Sequence, residues 1–290
     1  MAAPVFSAPA AAGLKNVLFT TDFSDESLKA LPFAGCITRA FRSRLHLLHI
    51  EAAAPLTAGL SDTRLYETAG RNAAGQLSSL RNSPAIQGLD PALVLAEGDI
   101  KAQLLKTIGD RRIDLVIAGT RGRTGVRKML LGSALEEMCR ASTCPILTVG
   151  PEAVFHPEAP FQRILFPTNL SEESRKAVPY IAMLAAEFGS RVTVLKVLSE
   201  NEATKSDLSS VINSTRAKMT EMFGPELGKF GIEYQVSFGA TAEAVLHLAR
   251  LKGAGLIAMA IRNAFRPGIL RQRTAYQIMA GAPCPVLTVP

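Results

Sequence analysis

The chain has few cysteines, and none of them has the spacing of metal ligands. Its 290 residues include only Cys36, Cys139, Cys144 and Cys284, and no two are separated as zinc or haem ligands are. Cys144 and Cys284 each precede a proline at the start of an apolar run. We therefore interpret these two as small buried apolar side chains. This cysteine usage favours a reducing, cytoplasmic setting.

Long apolar runs and long runs of one charge are also missing. No apolar stretch approaches the roughly 20 residues of a membrane-spanning helix. The opening segment, residues 1–13, is rich in alanine and proline and lacks the basic start and apolar centre of a signal peptide. We expect a soluble protein with a disordered tail there. The net charge of +7 is scattered along the chain, which favours small anionic partners over specific nucleic-acid binding.

The motifs of common catalytic sites are absent from the sequence. It contains no G-x-S-x-G hydrolase elbow, no H-E-x-x-H zinc motif and no G-x-x-x-x-G-K-[ST] phosphate loop. The histidines, His46, His49, His156 and His247, are dispersed, and we interpret them as structural. No general base or nucleophile is evident, so any hydrolysis should be slow.

Two stretches of sequence recur about 145 residues apart, which indicates two whole domains rather than an array of short repeats. Asn16–Ser24 matches Arg163–Ser171, and Cys144–Val149 matches Cys284–Val289. We predict a tail over residues 1–13, a first domain over 14–150, a linker over 151–161 and a second domain over 162–290.

Strands and helices alternate within the first domain. The predicted strands are Val17–Thr21, Leu45–Ile50, Leu93–Ala96, Ile113–Ala118 and Pro145–Val149. The predicted helices are Asp25–Phe41, Asp62–Leu80, Ile100–Arg111 and Ala134–Arg140. The strands are continuous apolar runs, as expected when helices cover both faces of a sheet. We predict an α/β fold of two tandem doubly wound parallel-sheet domains, Rossmann-like, with strand order 3-2-1-4-5.

This strand order predicts a ligand-binding crevice. In such sheets, ligands bind beyond the carboxyl ends of the strands, where the winding reverses. Strands one and four are neighbours at that reversal, so Asp22 and Gly119, which end them, should lie at the same crevice. Asp22 could instead close a turn through its own backbone. Ile50, which ends strand two, could form an apolar wall for a base or be ordinary core.

The fourth strand leads into a glycine-rich basic loop. Gly119-Thr-Arg-Gly122-Arg-Thr-Gly125 precedes Gly132-Ser133, where a helix begins. Glycines let phosphate approach the backbone, and a helix N-terminus favours an anion. Arg121, Arg123, Arg127 and Lys128 add positive charge without an acid nearby. The alternatives are a tight loop that binds nothing and a capping box formed by Ser133 and Glu136.

These residues resemble the nucleotide-binding branch of the universal stress protein family. Gly119, Gly122, Gly132 and Ser133 fit its pattern G-x2-G-x9-G-[ST], and the first strand with its acidic turn is also similar, with Thr20 in place of the usual proline. The resemblance implies an adenine-nucleotide site, commonly for ATP with Mg²⁺, and a role in stress survival. The site residues it implies here are Thr21, Asp22, Ile50, Gly119, Arg121, Gly122, Gly132, Ser133 and Ala134.

The resemblance also implies that domains pair through their last strands, here Pro145–Val149 and Pro285–Val289. Pairing covers an edge that would otherwise be exposed. Within one tandem chain it would give a pseudo-dimer of the two domains, and chains could also form a homo-oligomer.

The second half departs from the phosphate-binding pattern. Counting back from the shared Cys-Pro pair places Met259, Arg262, Gln272 and Arg273 where the first half has Gly119, Gly122, Gly132 and Ser133, and Asn169 stands for Asp22. We therefore expect nucleotide binding in the N-terminal half only. The second-half arginines, Arg262, Arg266, Arg271 and Arg273, could hold an anion or form a solvated basic surface.

Three functions fit the sequence. The first is a nucleotide-binding regulator or sensor in a stress response. The second is a slow ATP hydrolase that uses the same crevice. The third is a nucleotide-independent module that docks a protein partner through its edge strands and basic second half.

Overall fold

The computed structural model describes residues 13–51, 60–120, 133–199, 207–261 and 274–290. The chain divides into two compact units, one of residues 15–151 and one of residues 152–290 together with the described residues before Lys15. No helix within these described ranges is both long and apolar enough to cross a bilayer.

The N-terminal domain is a parallel sheet flanked by helices. Its strands are β1 Asn16–Thr20, β2 Arg44–Glu51, β3 Ala92–Glu97, β4 Leu115–Gly119 and β5 Ile146–Val149. They lie in the order β3-β2-β1-β4-β5, and each neighbouring pair is parallel. The helices are α1 Asp25–Leu28, α2 Leu31–Phe41, α3 Leu60–Leu80, α4 Ile100–Arg111 and α5 Ser133–Ala141, with a 3-10 turn at Pro84–Ile86.

The C-terminal domain repeats this plan. Its strands are β6 Arg163–Thr168, β7 Arg191–Leu198, β8 Glu233–Phe238, β9 Leu256–Ala260 and β10 Val286–Val289. Their order, β8-β7-β6-β9-β10, is again 3-2-1-4-5 with parallel pairs, so the predicted topology is confirmed in both domains. The helices are α6 Val178–Phe188, α7 Leu208–Leu227, α8 Thr241–Lys252 and α9 Thr274–Gly281, with 3-10 turns at Glu172–Ala177 and Gly228–Phe230.

The strands form the centre of each core. Phe19 in β1 and Ile117 in β4 are fully buried, as continuous apolar strands between two helical layers should be. In the C-terminal domain, Phe166 of β6 packs edge-to-face against Phe223 of α7, with ring centroids 5.0 Å apart. Cys144 and Cys284 are buried free thiols, which confirms their interpretation as small apolar side chains.

The predicted helix over residues 25–41 is interrupted after Leu28. α1 ends there, and α2 begins at Leu31 with Pro32 in its first turn. Proline lacks a backbone N–H and disfavours helical geometry in the residue before it, so it suits the start of a helix and not its interior. The single predicted helix was therefore wrong at this point.

Candidate functional site

The carboxyl ends of β1 and β4 bring two predicted site segments together. β1 and β4 are direct neighbours, with Thr20 paired to Ala118. Thr21 and Asp22 follow β1, and Gly119 is the last residue of β4. Ile50 lies on β2, the neighbour of β1 on its other side, and is partly buried. These four residues therefore lie along one edge of the sheet.

The turn after β1 is built by its own side chains. Thr21 Oγ1 accepts a bond of 2.8 Å from the backbone N–H of Phe23. Asp22 Oδ1 accepts bonds from the Ser24 backbone N–H at 3.1 Å and the Ser24 hydroxyl at 2.6 Å. Phe23 has a φ of 63°, a conformation uncommon for a bulky side chain. Asp22 thus closes a turn, which is the structural alternative that the sequence left open for this residue.

The C-terminal domain forms the same turn with a neutral residue. Asn169 Oδ1 accepts a bond of 3.0 Å from the Ser171 backbone N–H, as Asp22 does from Ser24. Thr168 Oγ1 accepts from the Leu170 N–H at 3.0 Å, and Leu170 has a φ of 62°. The turn therefore needs an oxygen acceptor and not a charge.

Gly119 is required by the packing of α1. A Cβ atom at this position would lie 2.8 Å from the backbone oxygen of Glu26 and 2.8 Å from Cα of Ser27. Such contacts are much closer than carbon and oxygen atoms tolerate, and both partners are backbone. The close approach of α1 thus explains this glycine without any ligand.

His49 joins the ends of β1 and β2, a role that the sequence did not reveal. Its Nδ1 lies 2.7 Å from the carbonyl oxygen of Thr21, and its Nε2 lies 2.9 Å from Oε1 of Glu51. The imidazole also packs against Phe23, with ring centroids 4.3 Å apart. His49 is 4% exposed. The signal available in the sequence was its position at the end of a strand beside an acid.

The glycine-rich loop lies mostly outside the described residues. Arg121, Gly122 and Gly132 fall in that gap, as do the neighbouring cations Arg123, Arg127 and Lys128. Ser133 and Ala134 are the first residues of α5. The helix N-terminus predicted at Ser133 is therefore present, and the helix directly follows the predicted phosphate-binding segment in the chain.

Strand register corrects the alignment of the two halves at Gly119. Gly119 pairs with Val149, and its counterpart paired with Val289 is Ala260, not Met259. The backbone N–H groups of Thr120 and Ile261 then donate to Val149 and Val289 in the same way. Counting back from the Cys-Pro pair was wrong here because the chain from Ala260 to Val289 is one residue shorter than the chain from Gly119 to Val149.

Two buried thiols have strongly raised pKa values. Burial raises the pKa of Cys139 and of Cys284 to about 12, with the charge of Glu136 adding to the effect on Cys139. A thiol with such a pKa is a poor nucleophile near neutral pH. No group of three His, Cys, Asp or Glu residues in the described ranges could hold a metal ion.

Sequence comparison finds the same family in both domains. A family model described as "Universal stress protein family" matches residues 13–150 and again residues 160–290. The Bacillus subtilis universal stress protein YxiE is 25% identical over 144 residues, which cover 46% of this chain and 97% of that protein. A Thermus aquaticus universal stress protein is 28% identical over 137 residues, covering 47% and 98%.

Structure comparison extends the likeness to the whole chain. A solved universal stress protein from Archaeoglobus fulgidus matches with a TM-score of 0.76 at 20% identity. The match covers 94% of this chain and 95% of that one. At this identity the likeness concerns the fold.

Proposed function

Because the chain belongs to the universal stress protein family, we propose that its N-terminal domain binds an adenine nucleotide, with ATP as the expected form. The observation that carries this proposal is the shared edge of β1 and β4. There the Asp22 turn lies beside Gly119, from which the chain enters the segment Gly119-x2-Gly122-x9-Gly132-Ser133 and then α5. An acidic turn and a basic glycine loop at one edge suit a ligand with both polar and phosphate groups.

Each part of the edge has a proposed role. Ile50 would pack against the base, and Thr21 and Asp22 would contact the ribose or a magnesium ion bound to the phosphates. The backbone N–H groups of the loop and of the first turn of α5 would hold the phosphates, where the helix dipole favours negative charge. The residues proposed for phosphate are Gly119, Arg121, Gly122, Gly132, Ser133 and Ala134.

Magnesium fits this edge through one carboxylate. Mg²⁺ is usually bound by one or two carboxylates together with substrate phosphates, and not by a full protein cage. Asp22 supplies a carboxylate whose charge the turn does not need, as Asn169 demonstrates. The ion would neutralise phosphate charge when bound, and Asp22 would orient it from the protein side.

We propose a regulatory role in which nucleotide occupancy sets the state of the protein. The C-terminal domain would support the N-terminal one without binding nucleotide, since Gln272 and Arg273 replace Gly132 and Ser133. Bulky side chains there obstruct close approach of phosphate to the backbone. The cysteines of the chain are free thiols. We therefore expect the protein to act in the cytoplasm.

The proposal is tested by identifying what the purified protein carries. Small molecules released on denaturation are analysed by mass spectrometry for wild type, Gly122→Val and Asn263→Val. Asn263 lies three residues after Ala260, as Gly122 lies three after Gly119, so it is the matched control. We expect ATP or ADP, near one per chain, from wild type and Asn263→Val and none from Gly122→Val.

A second measurement covers the case of a site emptied during purification. ATP at about 100 times its dissociation constant should stabilise the wild type by about 2.7 kcal/mol in thermal unfolding. If no nucleotide is released and ATP leaves the melting temperature unchanged, the proposal is wrong. A nucleotide-independent interaction module then becomes the better description.

Asp22→Asn separates the charge of this residue from its structural role. The amide preserves the turn acceptor, as Asn169 does in the other domain, so the melting temperature without ligand should stay the same. ATP affinity in the presence of Mg²⁺ should fall by about tenfold, because the carboxylate charge that would face the magnesium ion or the ribose is lost. An unchanged affinity would show that Asp22 has only its structural role in the turn.

A further inference from the structure

The C-terminal domain has a cavity at the edge where the N-terminal domain has its proposed nucleotide site. Its volume is about 290 Å³, and its walls come from the turn after β6, from β7, from the end of β9 and from α8 and α9. This size lies near the lower end of the range for small-molecule pockets, about 300–1,000 Å³. The cavity sits beyond the carboxyl ends of the strands, where doubly wound sheets bind ligands.

A lysine replaces His49 in this cavity. β2 begins at Arg44 opposite Asn16, and β7 begins at Arg191 opposite Arg163, so Lys196 holds the register position of His49. Lys196 lines the cavity and is partly buried. Its ammonium donates to the carbonyl oxygen of Val197 at 3.0 Å. An ammonium has three N–H donors, and within the described ranges no carboxylate lies within 4.0 Å of it as an ion pair.

Four acids at the N-terminal edge have no acidic counterpart in the C-terminal domain. By strand register, Leu198 occupies the position of Glu51, and Phe238 occupies the position of Glu97. Asn169 forms the turn that Asp22 forms. The helix N-cap is Ala240 in α8, whereas in α4 it is Asp99, whose carboxylate accepts from the Ala102 N–H at 2.8 Å.

At four positions the C-terminal edge therefore lacks the negative charge of the N-terminal edge. At these four positions the N-terminal domain has four carboxylates and the C-terminal domain has none, while an imidazole becomes an ammonium. One acid is kept: Glu173, the counterpart of Glu26, is the acid among the described residues that line the cavity. A partly buried ammonium with unused donors in a cavity is a suitable partner for an anion.

Neutral hydrogen-bonding side chains line the same cavity as the lysine. Oδ1 of Asn169 accepts bonds from the Ser171 backbone N–H at 3.0 Å and the Ser174 hydroxyl at 2.7 Å, so its amide group is oriented to donate with Nδ2. Thr241 and Thr274, which carry hydroxyl groups, also line the cavity. Hydrogen bonds from neutral donors beside one ammonium are typical of sites for carboxylate or phosphate groups.

We propose that the C-terminal domain contains a second ligand site, in which Lys196 binds the carboxylate or phosphate group of a small organic anion. The site is distinct from the nucleotide site in location and in charge, and it does not depend on nucleotide binding in the N-terminal domain. The chain would thus respond to two different small molecules.

The test uses isothermal titration of the full chain with inorganic phosphate and, separately, with succinate, at matched ionic strength. The variants are Lys196→Gln and the control Lys218→Gln, which removes the same charge from an exposed position on α7. We expect at least one probe to bind wild type and Lys218→Gln equally, and Lys196→Gln about tenfold more weakly. The probe that binds identifies the anion as phosphate or carboxylate.

Two results would overturn the proposal. One is that neither probe binds the wild type, and the other is that Lys196→Gln and Lys218→Gln bind equally well. Thermal unfolding without probe shows whether the Lys196→Gln variant folds. The Lys196→Arg variant keeps a cation in the cavity and should therefore retain binding. ATP affinity should be the same in all these variants, so the outcome is separate from that of the nucleotide proposal.

Discussion

The imidazole Nδ1 of His49 lies 2.7 Å from the carbonyl oxygen of Thr21, which ties the end of β2 to the turn after β1. A backbone carbonyl can only accept, so the ring donates in this bond. The other ring nitrogen faces the carboxylate of Glu51 at 2.9 Å. Through these contacts the second strand fixes the residue that precedes Asp22, on which the proposed nucleotide site depends.

Replacing His49 should destabilise the N-terminal domain. His49→Ala removes a buried partner from the Thr21 carbonyl and a packing surface from Phe23, and leaving a buried acceptor unsatisfied costs about 1–3 kcal/mol. Chemical denaturation measures the loss. His247→Ala, at an exposed position on α8, should change stability by no more than about 0.5 kcal/mol. Equal effects of the two variants would contradict the role assigned to His49.

Gly119→Ala should be destabilising even without ligand. The new methyl group would lie 2.8 Å from two backbone atoms of α1, so α1 or the end of β4 must move. Overpacking of this kind costs about 1–3 kcal/mol. Gly109→Ala in α4 is the matched control, since a Cβ there meets nothing within 4 Å, and it should stabilise the helix by about 0.5–1 kcal/mol. Thermal unfolding of both variants gives the comparison.

The sequence predicted the strand order and the position of α4 well, because local signals there agree. α4 spans Ile100–Arg111 as predicted, since Asp99 caps its start and Arg112, at a φ of 50°, ends it. The contact of Gly119 with α1 and the bonds of His49 could not be predicted. They depend on how close separate elements approach one another, which periodicity does not encode.

The repeat alignment failed for a related reason. The Cys-Pro pair fixes only the end of each domain, and the chain between the ends of the fourth and the last strand is one residue shorter in the C-terminal domain. Hydrogen-bond register between β9 and β10 was needed to identify Ala260 as the counterpart of Gly119. The same register revealed that Lys196 replaces His49.

Thiol reactivity should be low until the protein unfolds. Burial raises the pKa of Cys36 and of Cys144 to about 11, so almost no thiolate exists at pH 8. Cys36 is the half-buried one of the four thiols, and we expect it to react first and slowly with a disulfide reagent. Cys36→Ala should abolish this native-state reaction, and guanidinium should expose the remaining thiols. Rapid reaction of Cys144 in the native protein would contradict the structure.

His46 should make the N-terminal domain sensitive to acid. It is 2% exposed, its Nε2 lies 3.2 Å from Oδ1 of Asn16, and its Nδ1 has no partner in the described ranges. Because the Asn16 oxygen accepts, Nε2 carries the proton and Nδ1 is the nitrogen that would be protonated. Burial, followed by the charges of Arg44 and Arg111, lowers the pKa of His46 from 6.5 to about 4.

The sign of the effect follows from that lowered pKa. Between pH 6.5 and 4 the unfolded chain binds a proton on His46 that the folded domain does not, so stability falls as the pH is lowered through this window. Above pH 6.5 His46 is neutral in both states and does not reduce the free energy of unfolding. By pH 4 its preference for the unfolded chain lowers the free energy of unfolding by about 2–3 kcal/mol.

His46→Thr isolates this contribution, because Thr193 holds the same register position in the C-terminal domain. Denaturation midpoints of wild type and variant are compared at intervals from pH 7 to pH 4. We expect the wild type to lose more stability than the variant across this range, in which carboxylates titrate in both proteins alike. Parallel curves would mean that His46 binds its proton equally well in the folded and the unfolded chain. Folding would then not lower the pKa of His46, which would contradict this prediction.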